Sequence, residues 1–207
     1  MSRKTIYYHD PLHDDFAPTN GHIRPKPIGA DFPYEHPSPV WQALAFVVYR
    51  LIMTPFLFLY CKLVFGLRIE NRKALRELPG GYFLYGNHTN TLADAFIPTL
   101  LAFPRRANIV TAADTVSIPG VRNIVQMLGA VPLADTIDGT RQFLAAMRRR
   151  LERGQAVTIY PEAHIWPYYN GIRPFPDTSF AYPVREQLPV VAAAVVYRKR
   201  KLLRALP

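Results

Sequence analysis

The stretch YFLYGNHTNTLADAF, residues 82–96, decides how the rest of the chain is read. An apolar run ends in Gly86. Asn87, His88 and a short polar segment follow, then Asp94 and a second apolar run. This is the pattern of a buried strand leading through a turn into a helix. Histidine is the default general base because its ordinary pKa lies nearest neutrality. A carboxylate at its other ring nitrogen fixes the tautomer and stabilises the imidazolium. His88 and Asp94 suit those parts. The competing reading is a turn closed by Asn87 and His88, with Asp94 solvating a helix start, and on this stretch alone the turn is favoured.

Working outward, residues 67–207 alternate strand and helix signals. Short apolar runs occur at 82–86, 107–111, 129–133, 156–160 and 189–197, with helical patterns between them. The clearest helix lies in TIDGTRQFLAAMRRRLERG, with Asp138 as N-cap and Phe143, Leu144, Met147 and Leu151 on one face. Arg148, Arg149, Arg150 and Arg153 read as a solvated face that suits the helix dipole, and Gly154 as the stop. Alternating strands and helices predict an α/β domain with a mostly parallel sheet flanked by helices.

Upstream, residues 1–39 read as an extended arm broken by prolines, with aromatic side chains able to pin it to the body. His9, Asp10, His13, Asp14 and Asp15 form a loose cluster there. The preferred reading is a polar arm, and no metal is assigned. Residues 40–66 are the most apolar part. Arg50 and Lys62 interrupt the run and Pro55 would kink a helix, so the expectation is one helix, or two short ones, lying in a membrane interface rather than crossing the bilayer. Trp41, Tyr49 and Tyr60 suit headgroup depth, and Arg50 and Lys62 can snorkel towards phosphates.

Composition narrows the function classes. The 207 residues carry 49% hydrophobic residues and a formal net charge of +10, which favours an anionic partner such as a phospholipid surface or a phosphorylated small molecule. The arginines cluster near helix ends without interleaved aromatics, so no nucleic-acid partner is expected. The single cysteine, Cys61, excludes an intrachain disulfide framework and fits a reducing compartment. No apolar core follows MSRK, so no signal peptide is expected.

Ligands gather at the carboxyl ends of strands in open α/β sheets. Besides the loop after strand 82–86, the loop YPEAHIWPYYNGIRPF after strand 156–160 carries Glu162, His164 and Arg173, a set suited to binding an acceptor. There is no glycine-flanked serine elbow, no GxxxxGK[ST] phosphate loop and no GxGxxG. A reaction here is therefore a direct transfer, with a base activating an outside nucleophile against an already activated donor.

The order of these blocks resembles the PlsC-like glycerolipid acyltransferases, the lysophosphatidic acid acyltransferase superfamily. The similarity runs from about residue 64 to the C-terminus through GNHTNTLADAF, SIPGVRNIVQMLGAVPLADT, LERGQAVTIYPEAH and QLPVVAAAVVY. It implies an acyl-CoA or acyl-carrier-protein donor, no cofactor beyond it, and a hydroxyl acceptor of the lysophospholipid type, such as 1-acylglycerol-3-phosphate. By the same resemblance His88 is the base, Asp94 its orienting partner, and Glu162 an acceptor-binding residue, with Asn87 and His164 beside it. Placement at the cytoplasmic face of a membrane follows. Several positions depart from the family pattern. Five residues rather than four separate His88 from Asp94. Asp135 stands where the family has an arginine after the next strand block. Ile165 stands where FPEGTR ends in arginine, leaving Arg173, Arg105 and Arg106 as candidates for an acceptor phosphate. The chain ends at KRKLLRALP, where family members commonly continue for another strand, so a shortened chain is expected. These departures keep a second reading open: a non-catalytic acyl- or lipid-binding relative.

Overall fold

Five of the apolar runs become five parallel strands in a computed structural model that describes residues 6–16, 25–118 and 120–198. In chain order the main elements are α1 (Pro39–Phe65), α2 (Lys73–Arg76), β1 (Tyr82–Gly86), α3 (Ala93–Ala102), β2 (Ala107–Thr111), α4 (Arg122–Met127), β3 (Ala130–Pro132), α5 (Ile137–Glu152), β4 (Ala156–Ile159), α6 (Ala181–Glu186) and β5 (Val190–Ala193). The strand order is β3-β2-β4-β1-β5, and every pairing is parallel. The C-terminal segment KRKLLRALP lies outside the described residues.

Alternation along β1 separates the two faces of the sheet. Phe83 and Tyr85 meet Phe143, Met147 and Leu151 of α5, together with Ile28, Phe32 and Tyr34 of the arm. Tyr82 and Leu84 meet Leu75 of α2 and Ala102 of α3. Both layers bury apolar side chains, as a parallel sheet requires. The arm thus supplies part of the core. Asp135 clamps it: its carboxylate accepts the Ile28 N–H at 2.9 Å, and its own N–H donates to the Ile28 carbonyl.

Two local expectations need correction. Thr136, not Asp138, caps α5, its hydroxyl accepting the Gly139 N–H at 3.0 Å. The arginine cluster is not simply solvated, because Arg150 and Arg153 converge on Glu35 and Arg150 also donates to the Tyr34 carbonyl at 2.6 Å. The apolar segment forms one continuous helix, Pro39–Phe65, the first of the two forms expected for it. Pro55 follows a widened π-helical turn, Val47–Met53, in which the Tyr49 carbonyl accepts both the N–H and the hydroxyl of Thr54.

One side of α1 docks on the body. Tyr49 is buried, accepts the Ala107 N–H at 2.9 Å and donates to the Thr99 hydroxyl. Leu57 and Cys61 pack on Leu100 of α3. Arg50 donates to the Pro104 carbonyl and lies over the Phe103 ring. Tyr49 and Arg50 therefore serve the docked side rather than a headgroup layer. The opposite side exposes Val40, Leu44, Val47, Leu51, Phe56, Leu59 and Leu63 at helical spacing.

Candidate active site

The loops after β1 and β4 emerge from neighbouring strands and part in opposite directions. The chain leaves β1 through α3, on the Tyr82–Leu84 face, and returns at β2. It leaves β4 through α6, on the Phe83–Tyr85 face, and returns at β5. The carboxyl ends of strands at such a divergence are where ligands gather in open α/β sheets, and His88 stands there.

The turn after β1 absorbs the extra residue between His88 and Asp94. The Asn90 side-chain oxygen accepts the N–H groups of Leu92 and Ala93, which starts α3 and leaves Asp94 in its first turn. Oδ2 of Asp94 then lies 2.9 Å from Nδ1 of His88 and also accepts the N–H groups of Thr89 and Asn90 at 2.7 and 2.8 Å. A carboxylate can only accept, so Nδ1 carries the proton and Nε2 keeps a free lone pair. The Asp94 side chain is 1% exposed and that of His88 19%. The arrangement holds an imidazole at the edge of solvent with the carboxylate sealed behind it.

Tyr160 supports the pair through a gap in α3. Pro98 lies within that helix and has no N–H, so the Asp94 carbonyl loses its ordinary helical donor. The Tyr160 hydroxyl donates to that carbonyl at 2.6 Å, and its ring stacks on His88 with centroids 4.5 Å apart and planes 13° from parallel. Burial, then the charge of Asp94, pushes the Tyr160 phenol well above its usual pKa, so it stays a donor. A Cβ on Gly86 would meet the Tyr160 ring at 2.8 Å, so only glycine fits there. Tyr160→Phe is expected to cost about 1 kcal/mol in urea unfolding. In a Pro98→Ala background, where the helix regains its N–H, that cost should shrink. An equal cost in both backgrounds would remove Pro98 from the explanation.

A model of the acyltransferase family matches residues 66–196, more than half of the chain. The chain belongs to the acyltransferase family. No curated protein and no solved structure matches it.

In this acyltransferase the second loop is held against the first by its own polar groups. Glu162 is buried and its carboxylate accepts the N–H of His88 at 3.1 Å, the N–H of Arg173 at 3.0 Å and Nε of Arg173 at 3.2 Å. Arg173 is buried too; its guanidinium also reaches the His164 carbonyl and lies over the Trp166 ring at 4.7 Å. The expectation that these two side chains contact an acceptor is therefore revised: each already neutralises the other, and together they position the His88 backbone. Asn87 is likewise engaged in a two-way bond with the backbone of Val195, at 3.0 and 2.7 Å. His164 faces the arm instead, 3.7 Å from Asp15, next to Trp166, whose indole N–H donates to the Asp14 carbonyl. Asp10 and Asp14 close turns within the arm, accepting backbone N–H groups of Leu12, His9 and Asp10.

Arg105 and Arg106 lie at the other end of the sheet. They precede β2 and donate to the carbonyls of Gly80, Leu78 and Met127. A strand of this length separates them from the His88 end by about 15 Å, so neither meets a phosphate at His88. In the sequence Tyr160 reads only as the end of a strand. Its aromatic ring opposite a glycine at the end of the neighbouring strand was the available signal.

Proposed function

We propose that this acyltransferase moves a fatty acyl group from an acyl thioester, acyl-CoA or acyl-carrier protein, to the hydroxyl of a lysophospholipid-type acceptor such as 1-acylglycerol-3-phosphate, at the cytoplasmic face of a membrane. The observation that carries the reading is the His88–Asp94 contact at 2.9 Å, with Nδ1–H committed to the carboxylate. Nε2 takes the acceptor hydroxyl proton as the oxygen attacks the thioester carbonyl. Asp94 stabilises the imidazolium that forms. Collapse of the tetrahedral intermediate expels thiolate, which His88 can protonate in turn. A thioester is activated enough to need no covalent enzyme intermediate.

The acceptor is held by something other than the arginines considered above, since Arg173 is paired with Glu162 and Arg105 and Arg106 lie at the far end of the sheet. A charge-assisted bond to a phosphate is worth about 1.5–3 kcal/mol. Without one from these residues, monoacylglycerol should compete with its 3-phosphate to within about tenfold in kcat/KM. A preference of several hundredfold for the phosphate would overturn that placement.

The exposed apolar side of α1 supports the membrane location. The helix is attached to the body from Tyr49 to Cys61, so insertion of the opposite side places it along the interface. Burying one large apolar side chain is worth about 1.5–3 kcal/mol. Leu51, Phe56 and Leu59 are all more than half exposed. Replacing all three with serine should weaken vesicle flotation by at least about 100-fold while leaving circular dichroism unchanged. Unaltered flotation would rule this face out as the membrane contact.

A further inference from the structure

A second site lies at the opposite end of the sheet from His88. A cavity of about 420 Å³ opens between the arm, the first turn of α1 and the amino ends of the inner strands. Its walls include Glu35, His36, Trp41, Arg106, Arg150 and Arg153. Three guanidiniums therefore face one carboxylate, an excess of about two positive charges in a partly enclosed space.

Among the described residues no further carboxylate neutralises that excess. Glu35 is shared between Arg150, at 3.3 Å, and Arg153, at 3.1 Å. Nη1 of Arg150 is buried and meets no hydrogen-bond acceptor with good geometry among the described residues. Arg106 sits over the Tyr49 ring at 4.5 Å and donates to the Met127 carbonyl, with no carboxylate in ion-pair reach among the described residues. Burial first, then the neighbouring arginines, lowers the Arg150 guanidinium to about 10. His36 is lowered as well, chiefly by burial, and adds no charge at neutral pH. The amino end of α1 forms one wall, and its dipole adds positive potential.

We propose that this cavity binds a phosphate monoester. At neutral pH such a group carries about −1.5 to −2 charges, which matches the excess, and its oxygens suit the planar fork of arginine. The site does not depend on the acyl-transfer chemistry at His88. Two sources can supply the group: a soluble phosphate compound, or the headgroup of an anionic lipid, which the apolar face of α1 would bring close.

Isothermal titration of the full chain with inorganic phosphate, and flotation on phosphatidylcholine vesicles with and without phosphatidic acid, test the site and separate the sources. The variants are Arg106→Gln and Arg153→Gln, with Arg185→Gln on α6 as control. Arg153 is 58% exposed, so its replacement leaves the fold intact even if that of Arg106 does not. A soluble source predicts saturable phosphate binding that weakens at least tenfold in both site variants and not in the control. A headgroup source predicts that the gain in flotation from phosphatidic acid is lost in the same two variants. If neither phosphate binding nor that gain responds to Arg153→Gln, the cavity is not a phosphate site.

Discussion

His88→Ala should lower kcat for acyl transfer by about 10²–10⁴, the span that a positioned general base supplies. The substitution removes Nε2, the group assigned to take the acceptor proton, and leaves donor binding untouched, so the KM for the acyl thioester should move little. His88 also stacks on Tyr160, and its loss opens space beside a buried ring. A modest fall in melting temperature is expected from that, far too small to unfold the chain at assay temperature. His88→Gln separates the two effects: it fills more of the space, keeps a polar end and offers no base. The two variants should be equally slow. Ester formation by His88→Ala within tenfold of the wild type would end the role of His88 as base.

Asp94→Asn should be nearly as damaging, for a different reason. All three groups that reach Asp94 Oδ2 are donors: His88 Nδ1 and the N–H groups of Thr89 and Asn90. An amide oxygen can keep the two backbone bonds, so the turn survives. The negative charge that stabilises the imidazolium is gone. If instead the amide nitrogen turns to Nδ1, the proton moves to Nε2 and the base is lost. We expect kcat to fall about 10³-fold. Stability should hold or rise, because a buried carboxylate with no permanent cation beside it is costly. Slower catalysis with unchanged or improved stability marks a carboxylate kept for chemistry. A large loss of stability with little change in kcat would make Asp94 a turn residue only.

The sheet was largely legible from composition along the chain. The runs at 82–86 and 107–111 are the observed β1 and β2 to the residue, because both are apolar and bounded by turn residues. The run at 189–197 was read as longer than β5, which stops at Ala193. Beyond it the backbone of Val195 pairs with the Asn87 side chain rather than with a strand, and apolarity alone does not distinguish those partners. The His88–Asp94 pair was legible as a candidate, but its geometry depended on Asn90, whose side chain starts α3 late enough to absorb the extra residue. The pairing of Arg173 with Glu162 leaves no trace in the sequence, since the two lie eleven residues apart across a loop without regular periodicity. Phe32 and Tyr34 pin the arm to the core as its aromatic residues led one to expect, whereas Ile28, which joins the same cluster, stands in a proline-rich stretch with no periodicity to mark it.

Direct transfer from a thioester to a hydroxyl is tested most directly by thiol release with acyl-CoA in the presence and absence of an acceptor. It predicts release that requires the acceptor, one ester formed per thiol, and an unmodified protein mass throughout. Thiol release at the same rate without acceptor, an acylated protein trapped when acceptor is withheld, or no release with any lysophospholipid or monoacylglycerol would contradict it.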